Sequence, residues 1–324
     1  MADFNVDESV RPLIKCIAKS YSRQVLAIVL TGSLVRGEET IYRGRILSDV
    51  DLQVVARSFN PQLEKMVASI VRRYQESLRV KMSAGVIPFR NYRTQKKLDF
   101  YDAKKTGRVI FGDESILDTI SMRDPRDIPL WEGLRLLFNR IFGLLENLDD
   151  VQALTYDIAK VYLAIGEADL VSHCQYRPTC RERLVKIMDI PELAVLPGFR
   201  NKFRVCSEFK LNERNDINGL SLQNAIEEGV LATSHFLTHF LERPVSLKDG
   251  IEILSRKFYN PLHAGMYLGK KLLEGKRIRF SPTREPCLVI WKNGIELLQQ
   301  GVRNKAFADE LLDDWKHIPQ YVLR

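Results

Sequence analysis

The chain has 324 residues, 45% of them hydrophobic and 28% charged, with a net charge of +8. That is enough apolar material for a full core and length enough for two domains, while the longest unbroken apolar run near its start, Val25 to Leu30, is far short of the ~20 residues a membrane helix needs. The acidic opening Met1-Ala-Asp-Phe-Asn-Val-Asp-Glu8 lacks the basic and apolar regions of a secretory signal, so a cytoplasmic protein without membrane association is expected.

Val10, Leu13, Ile14, Ile17 and Ala18 recur at helical spacing, which predicts an opening amphipathic helix over 6–20. An apolar strand follows, Val25 to Leu30, ending at Thr31-Gly-Ser33. A second strand, Leu47-Ser-Asp-Val-Asp-Leu-Gln-Val-Val55, carries two aspartates one residue apart. Alternation places Asp49, Asp51 and Gln53 on one face and Val50, Leu52 and Val54 on the other. Beyond the Asn60-Pro61 boundary the pattern from Leu63 to Leu78 is helical. Two more strands are expected over 80–88 and 97–101, joined through Phe89-Arg-Asn-Tyr-Arg93.

The excess charge is concentrated: between Pro61 and Ile110 twelve Lys and Arg face four acids, so this segment alone carries +8. Such a field attracts a triphosphate or a nucleic-acid backbone. Ser121-Met-Arg-Asp-Pro-Arg-Asp-Ile-Pro129, with two prolines and alternating charges, reads as a linker. After it the periodicity is helical: Leu134, Phe138, Ile141, Leu145 and Leu148 line one stripe, Ile158, Tyr162 and Ile165 the next. Thr179-Cys-Arg-Glu182 and Ser246-Leu-Lys-Asp249 have the spacing of helix-opening capping boxes. Five cysteines, odd in number and nowhere spaced C-x-x-C, read as reduced thiols without zinc.

The ordered set of strand, Gly32-Ser33, Gly37 and Ser48-Asp49-Val50-Asp51-Leu52 resembles the nucleotidyltransferase superfamily of DNA polymerase β, and within it the small adenylyltransferase group that includes aminoglycoside adenylyltransferases. That signature is an apolar residue, G-S-x-x-x-G, and then S-D-h-D-h with h apolar. The stretch from Leu98 to Gly112 is also similar to the segment that closes the catalytic domain in such proteins. The resemblance implies an α/β (α+β) catalytic domain with a short mixed sheet, expected over 1–124, followed by an all-α domain over 125–324, with the acceptor between them. It also implies transfer of a nucleoside monophosphate, AMP from ATP, to a hydroxyl of a small molecule or a protein, releasing pyrophosphate. The alternatives are a polymerase-like transferase with nucleic acid, RNA, as its partner, and a catalytically silent relative that binds nucleotide or RNA.

Independently of any relative, phosphoryl chemistry needs positioning and charge neutralisation. Two aspartates on one strand can offer oxygens to Mg²⁺ or Mn²⁺. Gly32 permits close approach to a phosphate, and Ser33 is expected to open a helix whose free N–H groups favour an anion. By resemblance, Gly32 and Ser33 hold phosphates while Asp49 and Asp51 hold metal. A third carboxylate is expected on a neighbouring strand; alternation favours Asp99 as a catalytic and metal-binding residue, with Asp102 as rival. Lys104, Lys105 and Arg108 are expected to steer the triphosphate. The residues Glu39-Thr-Ile-Tyr-Arg-Gly-Arg45 are an insertion relative to the family pattern, expected as a mobile basic loop.

Competing motifs fare worse. Gly32 to Gly37 would begin a Walker loop, but Glu38-Glu39 stand where Lys and Ser/Thr are required. His235-Phe-Leu-Thr-His239 lacks the glutamate of a zinc-protease helix. Arg256 and His263 loosely resemble a helical ribonuclease pair, but Pro261 interrupts the turn between them.

Overall fold

The computed structural model describes residues 6–78, 80–258, 285–301 and 305–317. The elements are α1 (Val6–Tyr21), β1 (Val25–Thr31), β2 (Ile41–Tyr42), β3 (Arg45–Ile46), β4 (Val50–Ala56), α2 (Pro61–Leu78), β5 (Met82–Pro88), α3 (Phe89–Thr94), α4 (Leu98–Thr106), β6 (Arg108–Gly112), α5 (Leu130–Gly143), α6 (Val151–Ser172), α7 (Cys180–Asp189), α8 (Phe199–Lys210), α9 (Leu222–Leu241), α10 (Leu247–Lys257), α11 (Pro286–Gln299) and α12 (Lys305–His317). They fall into two compact units. The first comprises Met1–Glu132, Leu170–Pro191 and Arg204–Ile217; the second comprises Gly133–Asp169, Glu192–Phe203 and Asn218–Arg324. The first unit thus runs past residue 124 and takes in two later stretches of the chain.

The first unit is built on a mixed four-stranded sheet of order β5-β4-β1-β6. Strand β1 pairs antiparallel with β4 and β6, whereas β4 and β5 run parallel. The two central strands are nearly unbroken runs of Val, Ile, Leu and Ala, as strands buried on both faces require. On one face Ile28, Leu30, Val50, Leu52 and Val54 pack with Val10 and Ile17 of α1 and Leu63 and Val67 of α2. Helix α2 is also the crossover that a parallel β4–β5 pair demands. The opposite face carries Thr31, Asp51 and Gln53, and α3 and α4 lie against it.

Three expectations are corrected. Residues 97–101 are not a strand: Leu98–Thr106 is a helix with Asp99 in its first turn. The alternation of Leu98 and Phe100 resembles a strand, but Leu98 with Tyr101 and Phe100 with Ala103 are buried pairs at the i, i+3 spacing of a helix. The Glu132 carboxylate accepts the Leu98 N–H at 2.8 Å and so secures the helix start. The insertion, for its part, is an ordered hairpin rather than a mobile loop. Arg43 and Gly44 both take left-handed φ values, 48° and 79°, the type I′ geometry of a two-residue turn. Tyr42 is buried edge-on against Phe209 with ring centroids 5.3 Å apart. Asn212 closes the base, accepting from the Ile41 N–H at 2.7 Å and donating to the Glu39 carbonyl at 2.7 Å. The expected linker is likewise structured, forming a capped 3₁₀ turn at Pro125–Asp127.

The described part of the second unit is helical. Phe138 of α5 stacks on Trp291 of α11 at 4.9 Å between centroids. Of the stripe read from sequence, Leu134, Phe138, Ile141 and Leu145 are buried and Leu148 half-buried, with Leu145 and Leu148 lying beyond the end of α5. All five cysteines are free, Cys16 and Cys174 exposed and the others buried. Among the described residues no helix is long and apolar enough to cross a membrane.

Gly166 in α6 shows how tight this packing is, since a Cβ there would lie 2.3 Å from the Phe203 ring. Gly166→Leu should therefore lower stability by about 1–3 kcal/mol through overpacking, measured by urea unfolding. Gly143→Ala, where a Cβ meets nothing within 4 Å, should leave stability unchanged or raise it slightly.

Candidate functional site

Strand ends converge on one side of the sheet. Strand β1 finishes at Thr31, and Gly32 follows with φ at 82°. A Cβ on Gly32 would lie 2.5 Å from Asp51 Oδ2. Glycine is therefore required twice, for the left-handed backbone and for the close approach of main chain to carboxylate. Asp51 is the second residue of β4, and its register partners are Thr31 on β1 and Ser83 on β5. The Ser83 hydroxyl donates to Asp51 Oδ1 at 2.7 Å, which orients that carboxylate. Asp49 lies one residue before the strand and is partly exposed. Gly32, Asp49 and Asp51 are thus gathered at adjacent strand ends.

Ser33 does not open an α-helix. It precedes a 3₁₀ turn of three residues, Leu34–Arg36, with no side-chain capping bond, and Gly37 ends that turn in a left-handed conformation. Backbone N–H groups of Arg36 and Glu38 return to the Ser33 carbonyl at 3.1 and 3.0 Å. The glycines shape a tight turn rather than a helix start.

Among the described residues, β5 brings no third acid beside the pair. Strand β5 is the neighbour of β4, and its residues on the Asp51 face are Ser83 and Gly85. Asp99 is exposed at the start of α4. Asp102, on the same helix, accepts from the Tyr176 hydroxyl at 3.1 Å, and Arg183 donates to that hydroxyl at 2.9 Å. Among the described residues no three His, Cys, Asp or Glu side chains converge to hold a metal. The strand alternation that favours Asp99 as the third acid does not apply in a helix.

The basic residues separate as well. Lys104 donates to the Ile120 carbonyl at 2.5 Å and reaches the Asp118 carbonyl at 3.5 Å, so it closes the 3₁₀ segment Glu114–Thr119. Lys105 is exposed over the Tyr101 ring, 5.7 Å from its centroid. Arg108 begins β6 in register with Leu30, at the end of the sheet where Gly32 lies. His235 and His239 share α9, where burial first and the neighbouring His239 second hold His235 below its ordinary pKa. His263 lies outside the described residues.

Three further side chains shape the site; Glu38 and Lys210 carry no local signature because their partners are distant in sequence, while Ser48 belongs to the Ser48-Asp49-Val50-Asp51-Leu52 motif. Glu38 is buried, pairs with Arg36 at 3.1 Å, and accepts the backbone N–H groups of Cys180 at 3.0 Å and Arg181 at 3.3 Å. It is the anion at the N-terminus of α7, where the helix dipole favours one. Ser48 is buried; its hydroxyl oxygen accepts from the Thr40 N–H at 2.9 Å and from Lys210 Nζ at 3.0 Å. Lys210, also buried, accepts in turn from the Thr40 hydroxyl at 3.0 Å through its carbonyl. A lysine thus stands immediately behind the residue that precedes Asp49.

No protein-family model matches this chain, and no curated protein matches it.

Burial pulls the Glu38 pKa upward, but the Cys180 N–H, the Arg36 and Arg183 charges and the Arg36 hydrogen bond outweigh it, leaving the carboxyl below its ordinary value of 4.5. A group depressed on folding contributes stability above its unfolded pKa and loses it as pH falls through the folded value. Glu38→Gln should therefore cost about 1–3 kcal/mol at neutral pH by urea unfolding. The gap from wild type should narrow as pH is lowered below the ordinary carboxylate range; a gap independent of pH would refute the assignment.

Proposed function

We propose that this is a cytoplasmic, Mg²⁺-dependent nucleotidyltransferase that moves AMP from ATP to an acceptor hydroxyl and releases pyrophosphate. The observation that carries this reading is the contact of Gly32 with Asp51, with Asp49 alongside: a glycine turn backed directly onto a carboxylate pair at the ends of adjacent strands. Asp49 and Asp51 would hold Mg²⁺, or Mn²⁺, together with nucleotide oxygens. Two carboxylates suit a hard octahedral ion that keeps water and phosphate in its remaining positions. When bound, the metal neutralises charge building on the phosphates.

The roles of the chain follow from position. The Gly32-Ser33 turn lets a triphosphate approach the main chain, Ser83 fixes the orientation of Asp51, and Arg108 and Lys105 add positive field. The acceptor oxygen attacks the α-phosphorus and forms a new P–O bond. The bond from that phosphorus to the bridging oxygen breaks, pyrophosphate leaves with the electron pair, and the hydroxyl proton passes to solvent.

A second reading, nucleotide binding without turnover, is favoured by one observation: Ser83 and Gly85 occupy the face of β5 where a third acid would assist the acceptor.

The test is pyrophosphate release from labelled ATP and Mg²⁺ with a metabolite extract and a protein extract as acceptor sources. Asp49→Ala and Asp51→Ala should each reduce release about 100-fold or more. ATP binding without release would select the second reading, and absence of ATP binding would refute both.

A further inference from the structure

From Val80 to Leu98 the chain carries five cations and no acid. Two of them, Arg90 and Arg93, are exposed and stand three apart on α3, so they share a face of that helix. The Arg93 carbonyl accepts the Ser121 N–H at 3.0 Å, which lays the segment 121–127 against the end of α3. Lys96 and Arg123 are exposed as well. The charge of Lys96 acts on Asp127, whose carboxyl is held below its ordinary value chiefly by the Arg123 N–H and then by the Asp124 N–H. Arg90, Arg93, Lys96 and Arg123 therefore lie along one stretch of surface.

The neighbouring acids do not cancel this charge. Asp127 accepts the N–H groups of Arg123 and Asp124 at 2.7 and 3.0 Å, and Asp124 holds Arg126 at 2.7 Å. Among the described residues no ion pair neutralises Arg90, Arg93, Lys96 or Arg123. Four cations against the carboxylates of Asp99 and Asp127 leave a positive excess, which attracts polyanions. A second feature selects among them. Phe89 opens α3 half-exposed, and the Arg93 guanidinium lies over its ring, 5.5 Å from the centroid. A guanidinium laid on an aromatic ring offers a flat cationic surface on which a nucleobase stacks. Carboxylates and bare phosphates have no face to stack. A duplex hides the faces of its bases, so the fitting ligand is a single strand.

Placement separates this surface from the aspartates. Asp51 is in register with Ser83, whereas Pro88, immediately before Phe89, is in register with Ala56 at the other end of β4. Five residues of strand rise put Ser83 and Pro88 about 16 Å apart. We infer that the exposed side of α3, with Lys96 and Arg123, is a docking surface for single-stranded nucleic acid. Phosphates lie along Arg90, Lys96 and Arg123 while one base stacks on Arg93 over Phe89. Such docking is independent of nucleotidyl transfer at Asp49 and Asp51.

The test is fluorescence anisotropy with short labelled oligo-U and oligo-dT strands, in EDTA and without nucleotide, over a range of salt. Arg90→Gln combined with Arg93→Gln removes two charges from the surface. Arg72→Gln combined with Arg73→Gln removes two exposed charges from α2 and serves as the control. Arg93→Lys keeps the charge and loses the flat guanidinium. Thermal unfolding checks that each variant folds, and Arg93→Lys decides the matter if the α3 double variant does not. Wild type should bind at least one strand at low salt. The α3 double variant should weaken binding about tenfold or more and flatten the log–log salt slope by about 1.4, while the control stays within about twofold of wild type. Arg93→Lys should weaken binding about threefold or more. A wild type that binds neither strand, equal losses in the two double variants, or displacement of the strand by saturating MgATP overturns the proposed surface. Wild-type affinity in Arg93→Lys also overturns it, leaving an anion patch without stacking. Strand binding without MgATP binding would sink nucleotidyl transfer and leave the docking surface standing.

Discussion

A single buried carboxylate, Glu38, organises the surroundings of the site. Removing an ion from water is costly unless its lone pairs are filled and an opposite charge stands close. Here Arg36 supplies the charge and the first N–H groups of α7 supply the donors. The same bonds give the N-terminus of α7 partners that local sequence does not wholly provide; Thr179 and Glu182 complete the cap with a reciprocal box. Because Glu38 follows Gly37 directly, the turn that brings Gly32 against Asp51 is anchored at its far end to a helix 142 residues away.

The other side of the aspartate pair is held in the same manner. Ser48 receives two donors, one from the hairpin and one from Lys210, and so fixes the main chain entering Asp49. Ser83 steadies Asp51 from the edge strand. Hydroxyl groups therefore steady both aspartates, Ser83 through the Asp51 carboxylate and Ser48 through the main chain that enters Asp49, with Lys210 behind Ser48.

Legibility of the sequence followed the range of the forces. Strands β1 and β4 were readable because central strands need branched apolar residues on both faces, and the Gly32, Asp49 and Asp51 set because its spacing is short. Helix α4 is hidden because Leu98 and Phe100 alternate as in a strand, and its helical spacing shows only in the burial of Tyr101 and Ala103. The hairpin is hidden for a different reason. Arg43-Gly44 is not among the usual type I′ pairs, and what orders it is Phe209 and Asn212, far along the chain. Glu38, Lys210 and Ser83 carry no local signature, since each acquires its role from a partner on another element.

The distances along the chain between those partners bear on how the protein is made. Thr40 and Ser48 meet Lys210 across 170 and 162 residues, and Ile41 meets Asn212 across 171. On the ribosome, the strands that hold Asp49 and Asp51 emerge long before the residues that pin their connecting hairpin. The nascent sheet must wait for these later residues before its hairpin is pinned. Loop closure over such spans is entropically slow, so the site is completed well after its signature residues have been translated.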